Sequence, residues 1–203
     1  SLRPGLKFGA LGDSITRNTF TPTSRSQAAL GDILAWTDRS WTSWATQQTD
    51  RLAFCDIYAL EGYSGQRTDQ ILGSMLPSSA VFTVGATGNT FTIPLGIRAR
   101  RPNYVFVMAG TNDVTQAVPV ATGVANIRAL WAAVKSAGST PIAISLLPRN
   151  APALFPENVP VWNAAIAAAA ATDGVHFIDV YTNCDNGSGA FKSGWAYING
   201  ATD

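Results

Sequence analysis

Short apolar runs alternate with stretches of helical period along most of the chain, and each run gives way to glycine and small polar residues. Residues 6–11, Leu-Lys-Phe-Gly-Ala-Leu, run into Gly12-Asp13-Ser14, the pattern of a buried strand that hands a serine to the loop at its carboxyl end. The polar segment 15–39, rich in Thr, Ser and Gln with Phe20 and Trp36 embedded, predicts a long loop able to wall a pocket. Ser40 then caps a predicted helix with Trp41, Trp44, Ala45, Gln48 and Leu52 on one face, and its tryptophans are read as core rather than as a ligand platform. Residues 56–60 form a second strand, closed by Glu61-Gly62-Tyr63-Ser64-Gly65. Thr68 and Asp69 cap the next helix, which carries Ile71, Leu72 and Met75. Gly65 falls between strand end and helix start, where its N–H either faces an anion or simply turns the chain.

Two alternating segments, 81–84 and 90–93, flank Gly85-Ala86-Thr87-Gly88-Asn89 and predict a β-hairpin, an insertion near 81–97 that either shapes a groove or decorates an edge. Residues 102–109 are the clearest strand, an apolar run of the kind buried on both faces, and they end at Gly110-Thr111-Asn112-Asp113. A helix begins near Pro119, turns Val124, Ile127, Trp131 and Val134 inward, and stops at Gly138. A fourth strand over 141–147 ends at Pro148, an alanine-rich helix over 161–171 is opened by Pro160, and a fifth strand covers 175–181. Residues 182–203 read as loop. Strands alternating with crossovers of this length imply a parallel sheet with both faces covered. The polar clusters after strands one, two and three then share one rim.

A chain of 203 residues with 46% hydrophobic composition suits one domain, 1–203. A net charge of +1 with 13% charged residues argues against nucleic acid or an anionic membrane surface as partner. No apolar run reaches the length of a membrane span. The opening Ser1-Leu2-Arg3-Pro4 has neither Met nor a signal-like apolar block, so a removed leader or an excised piece is expected. The compartment stays open, and a secreted or periplasmic setting is compatible with it. Cys55 and Cys184 allow at most one disulfide and show no metal-ligand spacing; buried thiols are the expectation.

Three blocks in order, Gly12-Asp13-Ser14-Ile15-Thr16, Gly62-Tyr63-Ser64-Gly65 and Gly110-Thr111-Asn112-Asp113, resemble the GDSL, or SGNH, hydrolase family. Leu146-Leu147-Pro148, Asn163 and Phe177-Ile178-Asp179 agree with the resemblance, which covers most of the chain outside the hairpin. It implies a flavodoxin-like three-layer α/β/α sandwich on a five-stranded parallel sheet and a serine nucleophile at Ser14. It also implies an oxyanion hole from the Ser14 N–H, the Gly65 N–H and the Asn112 amide. An amide donates at any pH, so Asn112 suits a developing oxyanion; the neighbouring Asp113 would repel it and is assigned to loop structure.

The family's fourth block, Asp followed three positions later by His, is where the sequence departs. His176, the one histidine, ends Asp173-Gly174-Val175-His176, but it stands at the start of the fifth strand, roughly 20 Å from the rim that carries Ser14. Asp203 looks like the first member of that block, with the catalytic histidine expected on a segment that follows it. The resulting expectation is a serine esterase for short acyl esters, with O-acetyl groups on carbohydrate favoured by the polar loop and scattered aromatics. Ser14 forms the acyl-enzyme, and no metal or organic cofactor is called for. Lysophospholipase and thioesterase activity remain open within the same site. The competing class is a carbohydrate-binding module that keeps the frame and lacks the base. A nucleotide-binding role is disfavoured, since no phosphate-cradling glycine loop follows strand one.

Overall fold

The computed structural model describes residues 6–17, 55–63, 65–74, 80–84, 89–93, 97–149 and 158–192. Five parallel strands form its main sheet: β1 (Leu6–Gly12), β2 (Cys55–Gly62), β5 (Tyr104–Met108), β6 (Thr140–Ile144) and β7 (His176–Ile178). Their order in space is β2-β1-β5-β6-β7, the flavodoxin-like arrangement. The strand order therefore reverses between β1 and β5, and the carboxyl ends of those strands are where open α/β sheets bind their ligands. β3 (Ala80–Val84) and β4 (Asn89–Ile93) pair antiparallel as a separate hairpin, as the alternation predicts. Ile97, placed with the hairpin in the sequence reading, instead opens the short helix α3 (Ile97–Arg100) and is fully buried.

One face of the sheet is covered by α2 (Thr68–Ser74), α5 (Val120–Ser136) and α6 (Val159–Asp173), packed side by side. Alternation along β5 explains the layering: Val105 and Val107 are buried in the core beneath these helices, while Tyr104 and Phe106 point the other way. On that opposite face Phe8 of β1 stacks on both, with ring centroids 5.7 Å from Tyr104 and 5.4 Å from Phe106. The helix predicted over 40–52 lies outside the described residues.

Helix α5 buries Gly123, Ile127, Leu130, Trp131 and Val134, a stripe at helical spacing, and Val124 packs at its margin. Helix α6 buries Val159, Trp162, Asn163, Ile166 and Ala170. Removing an Ile, Leu or Trp side chain of this kind from water contributes about 1.5–3 kcal/mol each. The two helices approach closely because the Trp162 indole fills the hollow at Gly123, where any side chain would collide with the ring.

Several elements end earlier or later than the apolar runs suggest. β6 stops at Ile144 rather than at 147: the Leu146 N–H donates to Asn163 Oδ1 at 2.7 Å and its carbonyl accepts from Asn163 Nδ2 at 3.0 Å, so neither group is free for a ladder. β7 ends at Ile178 rather than at 181 because the Ser145 hydroxyl accepts the N–H groups of Val180 and Tyr181, each at 2.9 Å. Tyr181 and Thr182, read as strand and loop, open the short helix α7 (Tyr181–Cys184), whose start is fixed by the Asp179 carboxylate on Thr182. Cys184 is a free thiol, half-buried rather than buried as expected. Among the described residues no helix is long and apolar enough to cross a membrane.

Replacing Asn163 with Ala strands a buried N–H and carbonyl at Leu146. The expected cost is about 2 kcal/mol or more, read as a lower urea midpoint at unchanged m-value.

Candidate active site

The rim is built from the first three strand ends. Gly12 sits in the middle of it, paired with Gly62 on β2 and Met108 on β5. The Met108 carbonyl and the Thr16 side chain occupy the space a Cβ at position 12 would need, which is why the first block carries glycine there. The Tyr63 N–H donates to the Gly12 carbonyl at 2.9 Å, extending the β1–β2 ladder one step past the strand and delivering the second block to the same edge. Gly65 follows with φ +72°, a left-handed turn that suits glycine and that exposes its backbone.

Ser14 is the first residue of α1 (Ser14–Arg17), so the segment expected to leave the sheet as loop begins with a helical turn. Immediately before it, Asp13 is 1% exposed and accepts the Ile15 N–H through Oδ1 at 3.0 Å, fixing the turn into α1. Among the described residues its other oxygen has no hydrogen-bond partner, nor have the buried hydroxyls of Thr16 and Thr111. Burial raises the Asp13 pKa to about 6; the Ile15 N–H and the nearby Thr111 hydroxyl pull the other way, and the Asp113 charge adds to the rise.

The third block forms α4 (Thr111–Thr115), entered through Gly110. Asn112 and Asp113, adjacent in sequence, do different work. Asn112 Nδ2 donates to the Gln66 carbonyl at 2.9 Å, which places its amide beside the second block, one residue from Gly65. Asp113 is fully buried and accepts both the Thr68 N–H at 2.9 Å and the Thr68 hydroxyl at 2.7 Å. The first N–H of α2 is thus capped from another helix, correcting the expectation that Thr68 and Asp69 supply the cap themselves. Asn126 of α5 donates to the same Thr68 hydroxyl at 3.1 Å. Burial raises the Asp113 pKa above the ordinary carboxylate value, opposed by the two bonds from Thr68. Asp69 instead pairs with Arg67, whose Nη1 also reaches Gln116 Oε1 of the residue after α4 at 2.8 Å.

The structure thus brings the backbones of the first two blocks and the Asn112 amide to one edge. It does not bring His176 there. That residue is exposed, opens β7 and pairs with Ile142, which lies level with Phe106 and Ala10. Three strand spacings across and three or four residues along separate it from the rim, roughly 18 Å. Asp173, the other half of that motif, is held by Arg128 through two hydrogen bonds of 2.8 and 2.6 Å, which keep its carboxyl below the usual range. Asp203 lies outside the described residues.

Two contributors were not read from the sequence. Gln66 acts through its main chain, which leaves no trace in side-chain type. Arg149, half-buried on the loop after β6, donates from Nη1 to Thr115 Oγ1 at the end of α4, a contact spanning 34 residues. A single arginine following Leu146-Leu147-Pro148 at a strand's carboxyl end was the available signal.

Comparison with known proteins agrees with this arrangement. The sequence matches the GDSL-like Lipase/Acylhydrolase family over residues 10–198. No curated protein matches the chain significantly. Among solved structures, a protein of the G-D-S-L family from Desulfitobacterium hafniense DCB-2 superposes with TM-score 0.66 at 16% identity, over 97% of this chain and 89% of that one. The acetylxylan esterase Axe2 from Geobacillus stearothermophilus gives 0.61 at 16% identity, over 89% and 78%. The esterase EstA from Pseudoalteromonas, inhibited by monoethylphosphonate, gives 0.53 at 16%, over 85% and 76%.

Because Asp13 holds its proton more tightly in the folded chain, its contribution to stability is present below about pH 4 and is lost as pH rises through about 6. Urea titrations from pH 4 to 7 should show wild type losing about 2–3 kcal/mol relative to Asp13→Asn. Parallel pH profiles for the two proteins would show that this carboxyl is not perturbed. With the glycine-lined strand end, the buried Asp13 turn, the Asn112 amide on the second block and the match over most of its length, the chain belongs to the GDSL-like lipase/acylhydrolase family.

Proposed function

We propose that the chain is a serine esterase that hydrolyses short-chain acyl esters through an acyl-enzyme on Ser14. The observation that carries this reading is the 2.9 Å bond from Asn112 to the Gln66 carbonyl, which holds an amide next to Gly65 at the strand ends where Ser14 begins its helix. In the proposed reaction the Ser14 hydroxyl oxygen attacks the ester carbonyl and its proton passes to a general base. The carbonyl oxygen becomes an oxyanion facing the Ser14 N–H, the Gly65 N–H and the second N–H of the Asn112 amide. Collapse expels the alcohol, which takes the proton, and water then releases the acid from Ser14. Neutral, fixed donors favour the charged intermediate without reorganising, and one such donor contributes about 2.7–4 kcal/mol.

The reading assigns Asp203 to orient a histidine base. Acetyl groups on carbohydrate are the favoured substrate, supported by the Thr-, Ser- and Gln-rich segment after Ser14 and by the likeness to Axe2, an acetylxylan esterase. Lysophospholipid and thioester substrates would use the same chemistry. A second reading, a carbohydrate-binding module on the same frame, is favoured by one observation: the single histidine of the sequence is His176, on the exposed start of β7.

A fluorophosphonate and p-nitrophenyl acetate separate the two. The esterase reading expects stoichiometric labelling and turnover, both lost in Ser14→Ala, and a fall in kcat of about 10²–10³ in Asn112→Ala. Glycan binding with neither labelling nor turnover would establish the module instead.

A further inference from the structure

The Arg149 guanidinium has no acidic partner within hydrogen-bond reach among the described residues. Its main-chain N–H is tied to the Gly189 carbonyl at 2.9 Å, and among the described residues its side chain donates only to Thr115 Oγ1. Thr115 is itself committed, donating to the Thr111 carbonyl at 3.0 Å. Asp13 attracts the Arg149 charge at longer range, without a hydrogen bond between them. Burial meanwhile works against the guanidinium's charge. A half-desolvated arginine normally recovers that cost from a carboxylate or phosphate held by its planar fork, and among the described residues four of its five N–H donors have no protein acceptor.

Thr115 lies one turn along α4 from Asn112, and Asp13 directly precedes Ser14, so the cation stands between the elements that carry the proposed nucleophile and the proposed oxyanion donor. Beyond β6 the loop that carries it ends the described stretch at this same rim.

We propose that Arg149 is the anion-recognition group of the site, selecting esters that carry a carboxylate or a phosphate close to the scissile bond. This rests on the esterase reading above. The fork is planar and bidentate, so lysine at the same place supplies charge without matching geometry.

The test compares three acetate esters of one shape: neutral 4-acetoxybenzamide, 4-acetoxybenzoate and 4-acetoxyphenyl phosphate. In wild type kcat/KM is expected to be at least ten-fold higher for one of the two anionic esters than for the neutral one, and which one identifies the group. Arg149→Gln should reduce that selectivity ratio ten-fold or more, Arg149→Lys should restore part of it, and rising salt should weaken it in wild type. No wild-type preference for either anionic ester, or an equal loss on all three esters in the variants, overturns the proposal and leaves Arg149 as a clamp on α4. Binding of benzoate and inorganic phosphate, followed by NMR, separates the two layers of inference. A chain that binds either anion through Arg149 and cleaves no ester retains the subsite while the esterase reading fails. Binding that is absent from wild type, or unchanged in Arg149→Gln, overturns the subsite whatever the turnover.

Discussion

The buried carboxylate of Asp113 is the constraint on which the rim depends. One oxygen takes the first N–H of α2 and the other takes the Thr68 hydroxyl, which in turn accepts from Asn126 on α5. Three helices are thereby joined at one point around a fully buried carboxylate and threonine. A carboxylate removed from water is unfavourable unless its lone pairs are filled, so the arrangement tolerates little displacement of any partner. Because Asp113 is fixed, its neighbour Asn112 is fixed as well, and the amide faces the second block rather than solvent.

The two carboxylates of the site show how environment separates chemically identical groups. Both are buried, but Asp113 has its oxygens filled by Thr68, whereas Asp13 keeps one oxygen without a partner among the described residues and is raised to about 6. The result is a group next to the proposed nucleophile that changes charge in mildly acidic solution, at a place where α1 and α4 meet the sheet. The Thr16 side chain occupies the space beside Gly12, where a small polar group adds no charge.

Much of this was legible in the sequence because the determining signals are local. The apolar run of β5, the glycines at strand ends and the alternation of the hairpin specify their own structure, and three motif blocks placed Ser14, Gly65 and Asn112 on a common edge. What was misread involves competition from groups far away in sequence. Asn163 takes the backbone of Leu146, and Ser145 takes the N–H groups of Val180 and Tyr181, so β6 and β7 stop while their side chains are still apolar. Asp113 was set apart from Asn112 on charge and assigned to loop structure, whereas it lies in α4, and its task, capping α2 across 45 residues, could not be read from Thr68-Asp69, which looks self-sufficient. The part of the site that depends on Asp203 falls outside the described residues.

Helix α6 illustrates a different economy. Its body is almost a smooth alanine rod, and such a rod carries no notch of its own to set its rotation or its slide along the sheet. Two detents do that: the indole of Trp162 seated at Gly123, and the Asn163 amide latched on Leu146. The two lie side by side near the amino-terminal end of the rod, so alignment is set there and the alanines beyond it merely follow. A layer indexed at one end in this way keeps the strand termini it covers in place, and its far end is tied down separately, by buried Ile166 and Ala170 and by Arg128 on Asp173.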